Sequence, residues 1–305
     1  MAFPLARPQS TERARPFAAA SPPTNVPRLL ALWHLASLDA PTVAVVWTLA
    51  IAWTAGVRLD PWFSLLIACG TWTAYVGDRL LDARRAISSG DLARLRERHF
   101  FHWRYRRGLL AICVCTSAIS AALVMRLMPL SVREHDSVIA TAALAYFSGV
   151  HFQARFPAWL RRIASKEFFV GVLFTAGCAA PALSCLRSTR VEVSHLWPTL
   201  AGITYFAVLA WLNCAAIETW ESGFNSSRIR GFAALICLIG MSIAAALFFT
   251  QNRASALIST GVASGLLLLR LDLKRHRFAP VTLRALADLV LLIPGLLLAL
   301  GAHRG

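Results

Sequence analysis

Charged residues are scarce in this sequence. Asp, Glu, Lys and Arg together make up 15% of the 305 residues, whereas 57% of the residues are hydrophobic. The mean hydropathy of +0.58 is above that of ordinary soluble domains. This composition excludes a soluble globular protein and indicates a polytopic membrane protein.

Acidic residues are the scarcer of the two signs of charge, with 15 Asp and Glu against 31 Lys and Arg. The net charge of +16 does not predict a nucleic-acid partner, because the basic residues lie in short segments between apolar runs. When the N-terminus is placed in the cytoplasm and nine spans alternate, most Lys and Arg fall on the cytoplasmic side. The pattern predicts a protein of the cytoplasmic (inner) membrane with a cytoplasmic N-terminus.

Cysteine and histidine motifs for metal binding are missing. The seven cysteines fall almost wholly within apolar runs and lack CxxC spacing, so we expect neither disulfides nor a cysteine metal site. The histidines, including His34, His99 and His102, lack HxxxH or HExxH spacing and receive no metal role. No signal peptide is expected, since no apolar h-region follows the basic start.

Apolar runs that approach the roughly 20 residues of a membrane span predict an all-α bundle of about nine transmembrane helices. Residues 1–28 are rich in Pro, Ala, Ser and Arg and are expected to form a disordered cytoplasmic tail, followed by one transmembrane domain over 29–305. Asp91 is expected to cap a short surface helix. The predicted spans are 41–57, 62–77, 108–128, 136–153, 167–185, 196–217, 231–250, 254–270 and 285–302.

The second predicted span ends in two carboxylates, Asp78 and Asp82. Their spacing of four residues places them one turn apart on the same face of a helix, where like charges repel unless a cation lies between them. Arg84 and Arg85 follow directly, which favours an anionic ligand together with a metal. One interpretation is a magnesium–diphosphate site at the membrane surface. The other is a helix end whose carboxylates are neutralised by its own arginines.

The sixth predicted span also ends in acidic and amide side chains, at Asn213, Glu218 and Glu221. With alternating spans, this end lies on the same side of the membrane as Asp78 and Asp82. Two such ends facing each other would suit Mg²⁺, which prefers a few carboxylates together with water and phosphate oxygens.

The chain resembles the UbiA superfamily of intramembrane prenyltransferases. That family has nine helices and two Asp-rich motifs, after the second and sixth helices. The first family motif, NDxxDxxxD, corresponds here to residues 74–82, in which Asp78, Arg79 and Asp82 match while Ala74 and Tyr75 replace the opening Asn-Asp. The second motif, DxxxD, has no gapless match. Lys166 resembles the basic residue that opens the family's fifth helix.

The resemblance implies Mg²⁺-dependent transfer of an isoprenoid chain from a prenyl diphosphate to a lipid-soluble acceptor, within membrane lipid. It also implies roles for individual residues. Asp78, Asp82, Glu218 and Glu221 would form the catalytic set, with Asp78, Asp82 and Glu221 on the metal, and Arg79, Arg84, Lys166 and Asn213 on the diphosphate. An apolar tunnel would hold the prenyl chain, with Trp72 among its candidate lining residues.

Two further functions stay open from the sequence. One is a non-catalytic UbiA-like protein that binds an isoprenoid or another lipid, and the other is a small-solute transporter. Two more carboxylates, Asp39 and Asp288, lie at span ends, where a lone carboxylate is costly and is therefore a candidate functional residue. The simpler explanations are that Asp39 acts as an N-cap and that Asp288 pairs with Arg284 one turn before it. The acceptor, the prenyl chain length and the oligomeric state leave no mark in the sequence.

Overall fold

The computed structural model describes residues 28–90, 96–151, 166–188, 193–222 and 226–302. The predicted N-terminal tail and the predicted cap at Asp91 lie outside the described residues, except for Arg28 at the tail's end. The described part is helical and contains no strand. Its helices are α1 (Arg28–Leu35), α2 (Asp39–Thr54), α3 (Pro61–Ser89), α4 (Glu97–Arg104), α5 (Arg106–Leu127), α6 (Leu130–His151), α7 (Lys166–Ser188), α8 (Val193–Ser222), α9 (Ser227–Phe249), α10 (Arg253–Leu273), α11 (Pro280–Val290) and α12 (Gly295–Ala302).

Five of these helices, α5 and α7 to α10, are long and apolar enough to cross a membrane. The pair α1 and α2, bent by 87°, gives a sixth if it is one broken span. In α5 none of the most apolar stretch is buried inside the protein. An apolar helix face of this size needs lipid around it, so the fold is that of a helical membrane protein.

Local sequence signals explain several helix ends. Pro61 and Pro280 occupy the first turns of α3 and α11, where a missing backbone N–H costs nothing. Gly90 ends α3 in the left-handed conformation at φ +71°. The side chain of Asn252 caps α10 by accepting a hydrogen bond from the Ala254 backbone at 2.9 Å.

The main core lies where α2, α8, α9 and α10 pack together, with α7 against its side. Trp47 is fully buried at its centre, where its ring meets the edge of Phe206 with centroids 4.5 Å apart. The indole N–H of Trp47 donates to the backbone oxygen of Leu291 at 2.8 Å. This bond reaches the turn between α11 and α12 and ties the end of the chain to α2.

Residues 291–294 form a turn, ending in Pro294, that separates α11 from α12. In contrast, α3 continues twelve residues past the predicted end of its span at Gly77. The charged residues that follow Gly77 favour water but are not helix breakers, so the helix extends to Gly90.

Candidate functional site

Polar side chains from five helices meet at one end of the bundle. His34 lies in the last turn of α1, Asp39 begins α2, Arg79 lies on α3, Asn213 on α8 and Asp288 on α11. These five residues are called the polar cluster below. Four of them are at most 5% exposed, and Asp288 retains 18% of its side-chain surface.

The imidazole of His34 binds the carboxylate of Asp39. Its Nδ1 lies 2.6 Å from Oδ2 of Asp39 and 3.8 Å from Oδ2 of Asp288. The other carboxylate oxygen of Asp39 accepts a hydrogen bond from the Ala40 backbone at 2.9 Å. The predicted N-cap role of Asp39 is wrong, because Leu38 occupies the N-cap position and Asp39 is the first residue of α2. Its main partner is a histidine on the preceding helix.

Asp288 and Asn213 extend the cluster toward α8. The side-chain amide of Asn213 donates from Nδ2 to Oδ1 of Asp288 at 3.2 Å. Its Oδ1 is buried and has no hydrogen-bond partner among the described residues. The sequence predicts Arg284 as the partner of Asp288, whereas in the structure Arg284 contacts Glu221.

Arg79 joins the cluster to the corner between α1 and α2. Its Nη2 lies 3.8 Å from Oδ2 of Asp39, and its Nη1 donates to Oγ of Ser37 and to the His34 carbonyl at 3.3 Å. Ser37 has a positive φ of 58°, which points its hydroxyl into the protein. The corner is thus fixed by a buried guanidinium.

A hydrogen-bond chain continues from Ser37 to α4. His102 is bonded through Nδ1 to the Arg98 carbonyl at 2.7 Å, and its Nε2 lies 3.0 Å from Oγ of Ser37. With the proton assigned to Nδ1, each group from Arg79 through Ser37 to His102 donates to the next. The chain therefore holds the short helix α4 against the corner.

Burial and nearby arginines keep both histidines of α4 neutral. The pKa of His102 is lowered to about 4 by burial first, and by Arg79 and Arg98. The pKa of His99 is also lowered to about 4, by burial and then by Arg98. His99 accepts the Arg96 backbone N–H at Nδ1, at 3.0 Å, a bond that requires the unprotonated nitrogen.

Glu221 holds a group of arginines beside the polar cluster. Arg98 donates to its Oε1 at 2.9 Å, Arg284 donates to the same oxygen, and Arg96 lies 3.8 Å from Oε2. Burial lowers the pKa of Arg98 to about 10, and the charge of Arg284 adds to this while Glu221 opposes it. Glu221 thus joins α8, α4 and α11.

The structure places the residues selected from the sequence in three environments. Arg79 and Asn213 lie in the polar cluster, and Glu221 lies beside it. Asp78 and Asp82 are half-buried one turn apart on α3. The negative charge of Asp78 partly opposes the lowering of the pKa of His99 on α4. Arg84, Lys166 and Glu218 are exposed.

Sequence reasoning missed the roles of His34, Ser37 and His102. It identified Asp39 and Asp288 as candidates but favoured local partners for them. The signal for the two carboxylates was present, since a lone carboxylate at a span end is costly without a partner. The partners themselves lie on other helices. No spacing motif in the sequence links them.

An apolar groove of about 960 Å³ lies between α3 and α5. Its floor includes Cys69, Trp72 and Leu109, and the corner residue Ala36 borders it. Arg104, Arg106 and Arg107 line its polar side. The groove therefore combines a long apolar wall with positive charge at one margin.

Comparison with known proteins gives no relative, since no family model, no curated protein and no solved structure matches this chain.

Proposed function

We propose that the protein is an intramembrane prenyltransferase of the UbiA type, which transfers an isoprenoid chain from a prenyl diphosphate to a lipid-soluble acceptor. In this proposal the bundle has about nine spans and lies in the cytoplasmic membrane. Its N-terminus and its site face the cytoplasm. The protein would need Mg²⁺, and its oligomeric state is left open.

The observation that carries the proposal is the apolar groove beside the acidic end of α3. Trp72 lines the groove, and Asp78 follows it by six residues, which is about 9 Å along a helix. A prenyl chain fits the apolar wall by the hydrophobic effect. Its diphosphate would then lie near the arginines at the margin and the carboxylates of α3.

The α3 carboxylates suit Mg²⁺ in donor type and spacing. Asp78 and Asp82 can each supply a carboxylate oxygen from adjacent turns, with phosphate oxygens and water completing the shell. Bound there, Mg²⁺ would supply stabilisation of the negative charge that develops on the leaving diphosphate. Arg84 and Lys166, which are exposed, are assigned to the phosphate oxygens. Arg79 and Asn213 are assigned to them as well, but both are buried in the polar cluster and would have to leave their partners there first.

The acidic residues at the end of α8 are less readily assigned to the metal than those of α3. Glu221 is bound by Arg98 and Arg284, so it would have to leave both before it could bind a metal. Glu218 is exposed and carries no such constraint from burial. The proposal therefore keeps Glu218 and Glu221 as alternative partners of the α3 carboxylates.

The same arginine pairing favours a second candidate, a non-catalytic protein that binds an isoprenoid or another lipid in the groove. Such a protein keeps the groove but has no need of free carboxylates on α8. The two candidates differ in turnover, not in binding.

Transfer of label separates the two. The purified protein would be incubated with a radiolabelled prenyl diphosphate, Mg²⁺ and a total lipid extract as the source of acceptor. A prenyltransferase produces an organic-soluble product that is no longer acid-labile and that disappears when Mg²⁺ is chelated. Saturable binding without any product would support the lipid-binding candidate instead.

A further inference from the structure

Three arginines surround the single carboxylate of Glu221. Arg98 on α4 donates to its Oε1 at 2.9 Å, and Arg284 on α11 donates to the same oxygen. Arg96 lies 3.8 Å from Oε2. Among the described residues, no other carboxylate is within ion-pair distance of these three guanidinium groups. The group therefore holds two positive charges that Glu221 does not balance.

Two of these arginines are largely enclosed by the protein. Arg98 exposes 15% of its side chain and Arg284 exposes 21%. Like charges brought together away from bulk water repel each other and favour an anion between them. The repulsion acts on Arg98, whose pKa burial lowers to about 10, with the charge of Arg284 as the second cause. An anion with more charge than one carboxylate would relieve it.

Most N–H donors of the two arginines are not used within the described part of the protein. A guanidinium group has five such donors in a planar fork that matches the oxygens of a phosphoryl group. The side chains of Arg98 and Arg284 each give one hydrogen bond to the described residues, and both bonds end on Oε1 of Glu221. The geometry therefore leaves donors for bidentate binding of a phosphoryl anion.

Glu221 is a weak anion for this position. It is the last but one residue of α8, where the negative end of the helix dipole disfavours a carboxylate. It supplies one negative charge, whereas a single phosphoryl group supplies about 1.5 to 2 at pH 7. A diphosphate, with two phosphoryl groups, can bind one arginine with each. It should therefore compete successfully with Glu221.

His99 relates the two arginines to α3. Its pKa is lowered by burial first and then by arginines that include Arg98 and Arg284. The negative charge of Asp78 on α3 opposes this lowering. Both arginines and Asp78 therefore lie near the same imidazole, as they must if one diphosphate is bound from both sides.

We propose that Arg98 and Arg284 form a binding site for diphosphate, in which the carboxylate of Glu221 is an internal competitor. The diphosphate takes the place of Glu221 on both guanidinium groups. Glu221 is thereby released from the pairing that keeps it from any other partner. That the diphosphate carries a prenyl chain rests on the proposed function, whereas the exchange of Glu221 for a diphosphate does not.

Calorimetric titration of inorganic diphosphate into the full-length protein in detergent tests this exchange, in metal-free buffer so that no metal contributes to binding. Glu221→Gln should bind diphosphate about tenfold more tightly than the wild type, as expected when a competitor leaves a site open in about a tenth of the molecules. Glu97→Gln is the matched control, because Glu97 is an exposed neighbour of Arg98 without an ion pair among the described residues. It should bind diphosphate as the wild type does.

The double variant Arg98→Gln/Glu221→Gln shows whether the gain depends on the arginine, and it should lose this gain. A further measurement uses the wild type and so decides the matter if Glu221→Gln does not fold. Carbodiimide labelling of Glu221, read by peptide mass spectrometry, should increase when diphosphate is added, while labelling of Glu97 stays constant. Unchanged labelling of Glu221 by a protein that binds diphosphate would overturn the inference.

Phosphatidic acid in mixed micelles is titrated in parallel, since a lipid headgroup offers the same phosphoryl chemistry. Its affinity should rise less in Glu221→Gln than that of diphosphate. A larger rise would overturn the inference in favour of a lipid headgroup.

The inference is also overturned if Glu221→Gln and the wild type bind diphosphate equally or not at all. The same holds if Glu97→Gln binds it as tightly as Glu221→Gln, since overall charge alone would then explain the gain. Tighter diphosphate binding by Glu221→Gln, together with no prenyl transfer by the wild type, would remove the proposed function and leave this site standing. Prenyl transfer without any effect of Glu221→Gln on diphosphate binding would do the reverse.

Discussion

Nδ1 of His34 lies 2.6 Å from Oδ2 of Asp39, and this buried contact spans the 87° bend between α1 and α2. The two residues are five apart in sequence, with Ser37 between them in the left-handed region. The bend is therefore not a loose connection. It is fixed by side chains that also contact α3, α4 and α11.

Replacement of His34 tests how much this contact contributes to folding. His34→Ala leaves the carboxylate of Asp39 buried without its closest partner, which should cost about 3 kcal/mol of the free energy of unfolding. Thermal unfolding in detergent measures the effect. Leu32→Ala, at an exposed position of the same helix, is the control and should change little. Equal stability of the two variants would contradict the role given to His34.

Acid should destabilise the protein through α4. The pKa values of His99 and His102 are lowered from 6.5 to about 4, so between these values the unfolded chain binds protons that the folded chain does not. Their contribution to the free energy of unfolding is therefore complete above pH 6.5 and is lost as the pH falls toward 4. The charged groups facing His102 are Arg79, Arg98 and Asp39.

His102→Gln checks this pH dependence, because glutamine cannot take up the proton. The unfolding midpoint of this variant should fall less between about pH 7 and about pH 5 than that of the wild type. His276→Gln, in the exposed turn after α10, should behave as the wild type does. The prediction fails if His102→Gln loses as much stability on acidification as the control.

Gly171 allows α7 to approach α8 closely. A Cβ at this position would lie 2.7 Å from the backbone nitrogen of Trp211, an atom that cannot rotate away. Gly171→Ala should therefore lower the free energy of unfolding by about 1–3 kcal/mol. Gly177→Ala on the same helix meets nothing within 4 Å and should be neutral or slightly stabilising. If the two variants have the same free energy of unfolding, the close approach of α7 and α8 does not contribute to stability.

The groove predicts a difference between two substitutions on α5. Ile112 lines the groove, so Ile112→Trp should fill part of it and weaken prenyl diphosphate binding by about tenfold, the loss of roughly two buried methylene groups. Inorganic diphosphate, which has no chain, should bind the variant as it binds the wild type. Ile119→Trp, on the same helix outside the groove lining, is the matched control. Equal affinities for prenyl diphosphate would show that the chain binds elsewhere.

The helical class could be predicted, as could the positions of the most apolar helices, because both depend on local composition. Runs such as 231–250 and 254–270 are apolar enough that α9 and α10 follow from length alone. The spacing of Asp78 and Asp82 predicts helix just beyond Gly77, but the continuation of α3 to Ser89 was not predicted, since the change from apolar to charged residues marks only the end of the span. Charge marks where a helix leaves lipid, and helix ends are set by residues such as Gly90.

The candidate site could be predicted only in part, because its contacts are long-range. Asp78, Arg79 and Asp82 stand out by their spacing on a single helix. His34 and Asp288, by contrast, come from opposite ends of the chain, and only packing of α1 against α11 brings them together. The same holds for Glu221, whose arginine partners come from α4 and α11. Residue spacing along the sequence does not predict such pairs.

The measurement that tests the central claim most directly is binding of geranylgeranyl diphosphate to the detergent-solubilised protein, with and without Mg²⁺. It would be made on the wild type and on the double variant Asp78→Ala/Asp82→Ala. The account predicts binding that requires Mg²⁺ and is lost in the double variant. Binding that is absent under every condition, or that is equal in the wild type and a folded double variant, would contradict a magnesium–diphosphate site on α3.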